Sequence, residues 1–250
     1  MSYSNSILSQ SHLALQQSTT ISNSKLFYHT GISAIILAVS YILILVLYIM
    51  SGAPPAELTS KLNHMAIHQI EWWGILLLSV ITDLFFIPMA VCLFLILKDY
   101  GRNLILTGAV LLVIFVVLDL AITWPNYSAM ITIGQKFAEA TEATQKQTLL
   151  AAAHYPSEIV ESKLLGIYII LIPSIGILLF GMVMLRGIFS KATAYTAISS
   201  GVLGVVSVIG SIFYEPMGLA IVLGSTFTLL WSFLFGLKLI QLSKQDCKAS

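Results

Sequence analysis

Polar and apolar positions along this chain separate into long blocks rather than short alternations. Six blocks are almost free of charge: Gly31 to Met50, Trp73 to Leu97, Leu104 to Trp124, Leu164 to Leu185, Thr193 to Tyr214 and Met217 to Leu237. A helix rises about 1.5 Å per residue, so some 20 residues match a hydrocarbon core of about 30 Å. The pattern therefore predicts an all-α, polytopic membrane helix bundle with six transmembrane helices over residues 25–242.

Residues 1–24 are rich in Ser, Gln and Asn and hold no Asp, Glu, Lys or Arg, which predicts a disordered tail; residues 243–250 form a second tail. The first apolar block begins too late, and has too little upstream positive charge, for a signal peptide. It reads as a retained span. The fourth block carries Pro173, Ser174 and Gly176, a predicted kink. The fifth is packed with small residues at helical spacing, among them Ser200, Gly201, Gly204, Ser207 and Ser211, which predicts close helix packing. Two polar interludes are helical as well. Glu57 to Ile70 follows Pro54-Pro55, and Phe137 to Ala153 lies between Pro125 and Pro156.

Composition removes the soluble alternatives. Hydrophobic residues make up 58% of the chain and charged ones 9%, with a mean hydropathy of +0.93. That is membrane composition. A net charge of +1 with scattered basic residues gives nucleic acid nothing to bind. Cys92 lies inside an apolar block and Cys247 near the end, so neither a disulfide nor a metal pair is expected. With six spans, one side collects 8 Lys and Arg residues and the other 4, which puts both termini in the cytoplasm of a multi-pass cell-membrane protein. The two helical interludes then face outward, and Trp72, Trp73 and Trp124 contribute to an outer aromatic belt.

The chemistry concentrates in two places. Asp83 lies 14 residues before Leu97 and Asp119 lies 15 after Leu104, at matched depth on either side of the polar tip Lys98 to Asn103. An Asp facing lipid at mid-membrane costs roughly 2.5 to 3.5 kcal/mol, so both should turn into the bundle. Ser79 and Ala90 share the Asp83 face, and Gly108 and Thr123 share the Asp119 face. Two neighbouring carboxyl groups in low dielectric cannot readily both ionise, so the pair could hold a proton or a cation. The structural alternative is that each acid only hydrogen-bonds a hydroxyl or an indole.

The second place is the stripe His64, His68 and Glu71, which His154, Glu158 or Glu161 could complete as a metal site. A solvated helix face explains the same stripe. There is no phosphate-binding loop, nucleophile elbow, His-Glu-x-x-His motif or dinucleotide fingerprint. No block contains a histidine to hold haem, so no cofactor is expected. Asn126-Tyr127-Ser128 matches a glycosylation sequon but abuts an apolar block.

The runs Tyr127-Ser128-Ala129, Phe137-Ala138-Glu139-Ala140-Thr141 and Leu149-Leu150-Ala151-Ala152-Ala153, with Trp231, Gly236, Lys238 and Leu239, resemble a prokaryotic family of integral membrane proteins. That family is labelled only as a domain of unknown function. The likeness covers about Gly31 to Leu242 and implies no activity. Three functions remain as expectations. The first is a noncatalytic protein that acts through helix packing, its partners being the lipid bilayer and other membrane proteins or a second copy of itself. The alternatives are a small proton- or cation-coupled transporter using Asp83 and Asp119, and a metal-dependent membrane hydrolase.

Overall fold

The computed structural model describes residues 24–245, apart from the side chain of residue 215. The tail expected over 1–24 falls almost wholly outside the described residues, as do residues 246–250. Helix α1 is Ser24–Ser51, and α2 is Leu58–Ile67. Helices α3 (69–100) and α4 (102–139) are the arms of a hairpin that breaks at Gly101 (φ 174°, ψ 64°). Helix α5 is Ala143–Glu161 and α6 covers 163–184. Helix α7 is Lys191–Phe213, and α8, Pro216–Gln245, opens in a 3-10 turn.

The described residues are helical apart from short links, without a strand. Five continuous helical segments are long and apolar enough to cross a membrane, and the longest of them, Gln69–Glu139, contains both arms of the hairpin. Large apolar side chains such as Leu45, Ile49, Leu77, Val117, Val222 and Leu223 cover the outside. A soluble protein would bury them; a lipid-facing one need not.

Small residues set the helix order. Backbone approaches pair Gly31 with Gly236 between α1 and α8, Gly108 with Gly176 between α4 and α6, and Gly201 with Ser174 between α7 and α6. Gly74 meets Leu47 of α1, and Ser200 Oγ lies 2.5 Å from Thr228 Oγ1 between α7 and α8. Each longer helix thus packs antiparallel on the one before it, and α8 closes the ring on α1. Ser24 Oγ donates to the Ser243 carbonyl at 3.0 Å, so α1 and α8 stay together past the expected tail boundary at 243.

Two clusters fill the interior. The larger includes Phe86, Leu93, Leu97, Phe180, Trp231 and Phe235. The smaller, including Leu62, Met65, Trp72, Met130 and Phe137, lies under α2 at the end opposite the Gly101 hairpin. The second interlude differs from its expected form. Helix α4 runs to Glu139, an extended residue at Ala140 ends it, and α5 continues through Pro156 instead of stopping before it.

Two π-turns interrupt the helices, Asp119–Thr123 in α4 and Ile167–Leu171 in α6. Each is followed by a proline, Pro125 and Pro173. Proline lacks an N–H and crowds the carbonyl four residues back, here residues 121 and 169 inside the turns. Widening the turn by one residue relieves that crowding. The expected disturbance at Pro173 therefore takes the form of a π-turn just before it.

Candidate functional site

Helix α3 carries Asp83 and Ser79, and the first π-turn carries Asp119 and Thr123; all four are buried. The Trp124 indole Nε1–H donates to Asp83 Oδ2 at 2.6 Å. In an α-helix, positions five apart diverge by about 140°. The π-turn bonds the Trp124 N–H to the Asp119 carbonyl five residues back, which brings both side chains towards α3. The hairpin brings the two carboxyl groups within electrostatic reach of each other.

The two acids are held differently. Asp83 accepts the indole, while Asp119 Oδ1 is buried without a hydrogen-bond partner. Thr123 Oγ1 is in the same position. Among the described residues the ion pairs are Lys61–Glu161 and His68–Glu71, and neither reaches the acids. The phenols of Tyr41 from α1, Tyr127 from α4 and Tyr168 from α6 lie within electrostatic reach. The surroundings supply polar oxygens and aromatic rings but no balancing positive charge.

Beside Asp119 lies a partly open cavity of about 280 Å³, bounded by α1, α3, α4 and α6. Its polar lining includes Ser79, Asp119 and Thr123. Its aromatic side is Tyr48, Trp72, Trp124 and Tyr127. Trp72 stacks on Tyr127 with centroids 6.4 Å apart at 14°, and Tyr48 meets Trp72 edge-on at 6.3 Å. The Trp72 indole N–H is also buried without a partner. Of the expected aromatic belt, Trp73 lies at the surface, 36% exposed. Trp72 turns inward because adjacent helix positions point about 100° apart.

The His64, His68 and Glu71 stripe straddles the junction of α2 and α3. The His64 and His68 rings are 4.8 Å apart, and His68 Nδ1 is 3.9 Å from Glu71 Oε1. Burial, with His68 beside it, holds His64 below the usual imidazole value. Among the described residues, no three His, Cys, Asp or Glu side chains converge as a metal site. Glu161 instead pairs with the buried Lys61, and Ser157 Oγ donates to the same carboxylate at 3.2 Å. Burial lowers Lys61 from the usual ammonium value, and Glu158 opposes that. Asn126 of the sequon donates its amide to the Ile122 carbonyl at 2.6 Å.

The small residues of α7 are used inside the chain. A Cβ on Gly201 would lie 2.6 Å from the Ser174 carbonyl oxygen, and one on Gly204 would overlap Ser174 Oγ. Ser207 Oγ donates to the Gly218 carbonyl at 3.0 Å, and Ser211 Oγ to Val208 at 2.9 Å within its own helix. Tyr48, Tyr127 and the inward roles of Trp72 and Trp124 were not expected from sequence. One signal was present: Tyr41 and Tyr48 are seven residues apart, on one face of α1.

In comparisons with known proteins, no family model, no curated protein and no solved structure matches this chain.

Proposed function

We propose that this chain is a six-span integral membrane protein with both termini cytoplasmic, and that it works as a small proton- or cation-coupled carrier through Asp83 and Asp119. The observation that carries the reading is Asp119 Oδ1, buried and unpartnered beside a cavity that reaches into the helix ring. Ionisable residues at such depth mark ion pathways when no structural partner satisfies them. Asp83 has such a partner in Trp124; Asp119 has an oxygen left over. The π-turn adds support, because these irregular turns recur at functional sites.

The cycle follows from the pair's chemistry. With no adjacent cation, the two carboxyl groups share one proton, and the neutral acid donates a hydrogen bond to its ionised neighbour. A cation entering the cavity displaces that proton, which couples the two fluxes. The alternative of a noncatalytic protein acting through helix packing has less support, because α7's small residues are spent on α6 and α8. The hydrolase alternative lacks a converged ligand set among the described residues.

Proteoliposomes holding a proton-sensitive dye test the reading. A pH gradient should dissipate faster with the wild-type protein than with Asp119→Asn, while both melt at similar temperatures in detergent. Equal rates in a well-folded Asp119→Asn would overturn the carrier.

A further inference from the structure

We propose that the cavity beside Asp119 takes an organic ammonium ion, a protonated or quaternary amine with an apolar body, with its charge between the Asp119 carboxylate and the aromatic wall of Tyr48, Trp72 and Tyr127. The inference rests on Asp119 being a cation site and adds the class of cation. Three properties of the cavity select it.

Size comes first. At about 30 Å³ per water, 280 Å³ has room for roughly nine water molecules, far more than a bare metal ion fills. Donor chemistry comes second. Hard metal cations take six or more oxygen ligands, or keep part of their water shell. The oxygen-bearing side chains of this lining are Ser79, Asp119, Thr123, Tyr48 and Tyr127, while Ile44, Ile75, Leu76, Ile131 and Ile169 make up much of the rest. An aliphatic wall suits a carbon-rich body and strips water from a hydrated metal at high cost.

The aromatic wall is the third property. Ammonium groups are attracted to the faces of Trp and Tyr within about 6 Å of the ring centroid, most strongly to Trp. Trp72 is held by Tyr48, His64 and Tyr127, whose three ring contacts set its plane. A wall held in place in this way gives up little freedom when a ligand arrives. The carboxylate excludes anions and disfavours neutral ligands of the same shape, because a neutral body leaves its charge unmatched. No Lys, Arg or His lines the cavity to compete for Asp119.

The probe is benzyltrimethylammonium, compared with neopentylbenzene, its neutral isostere, and with sodium ion at equal ionic strength. A hydrophobic carbodiimide, which reacts with protonated carboxyl groups in apolar surroundings, reports on Asp119 through mass spectrometry of the full chain in lipid nanodiscs. The ammonium should protect Asp119 from the reagent and raise the melting temperature, whereas the isostere and sodium should do neither. Trp72→Leu should weaken that protection at least tenfold and Trp72→Phe less, protection being read in each variant against its own labelling without ligand.

Equal protection by the isostere would reduce the site to an apolar pocket and overturn the inference, and equal protection by sodium would assign it to a metal cation and do the same. Labelling that occurs but ignores the ammonium overturns this inference and leaves the proton-binding pair standing. Absence of labelling at Asp119 overturns both.

Discussion

At the scale of single residues, three side chains do work that their neighbours cannot take over. Trp124 is the donor that satisfies buried Asp83. Trp124→Phe keeps the ring and removes the N–H, so it should cost about 1–3 kcal/mol, read as a lower melting temperature in detergent. Asp83→Asn should be milder than Asp83→Leu, because an amide keeps both an acceptor and a donor for this site. Glu161 partners the buried Lys61. Glu161→Ala should lower the melting temperature more than Lys61→Met, since the first leaves a buried ammonium short of its partner and the second removes the charge with its desolvation cost. Glu57 caps α2, accepting from the Thr59 N–H at 2.9 Å and the Ser60 N–H at 2.7 Å. Hydrogen bonds from Ser60, then Thr59, hold its carboxyl down from 4.5 to about 2. A depressed value stabilises the fold above the unfolded-state value and is lost as pH falls through the folded one. The protection factors of the Thr59 and Ser60 amides, taken relative to intrinsic exchange at each pH, should therefore fall as pH drops from 4.5 to about 2, and Glu57→Gln should abolish that dependence.

At the scale of elements, close contacts between glycines and small residues order the helices around the ring. Gly204→Leu would drive a large side chain into Ser174 of α6, an overpacking cost of about 1–3 kcal/mol. Val202→Leu, on a side chain 44% exposed, should leave melting in detergent nearly unchanged. Equal effects would mean that the Gly204 face looks at lipid. The small-residue face of α7 was readable because its spacing is helical and the helix is regular. The hairpin was readable for a similar reason: a polar tip between two apolar arms leaves one way to fold back, and the matched distances of Asp83 and Asp119 from that tip set them level. The π-turns were not readable. A reading at 3.6 residues per turn puts Trp124 and Asp119 on different faces, and only the extra residue in Asp119–Thr123 brings them together. Trp72 was misread because a pair of tryptophans at a block edge suggests an interface belt, while the burial of one of them is settled by Tyr48 and Tyr127, which are distant in sequence.

At the scale of the whole molecule, the helix ring leaves its polar chemistry at one end, beneath α2 and between α1, α3, α4 and α6. In the proposed topology, which follows the distribution of Lys and Arg, that end faces outside the cell. A cysteine at exposed Ser60 should accordingly react with an impermeant reagent on intact cells, and reaction only after permeabilisation would invert the topology. Such an orientation would open the cavity to the exterior. In the proposed carrier, Asp83 and Asp119 share one proton at neutral pH. Infrared difference spectroscopy of the protein in nanodiscs, wild type against each Asp→Asn variant at pH 7, measures this most directly. A protonated-carboxyl carbonyl band is expected in the wild type and should be lost or shifted in both variants. A wild-type spectrum without that band, or a band unshifted by either substitution, would contradict a shared proton.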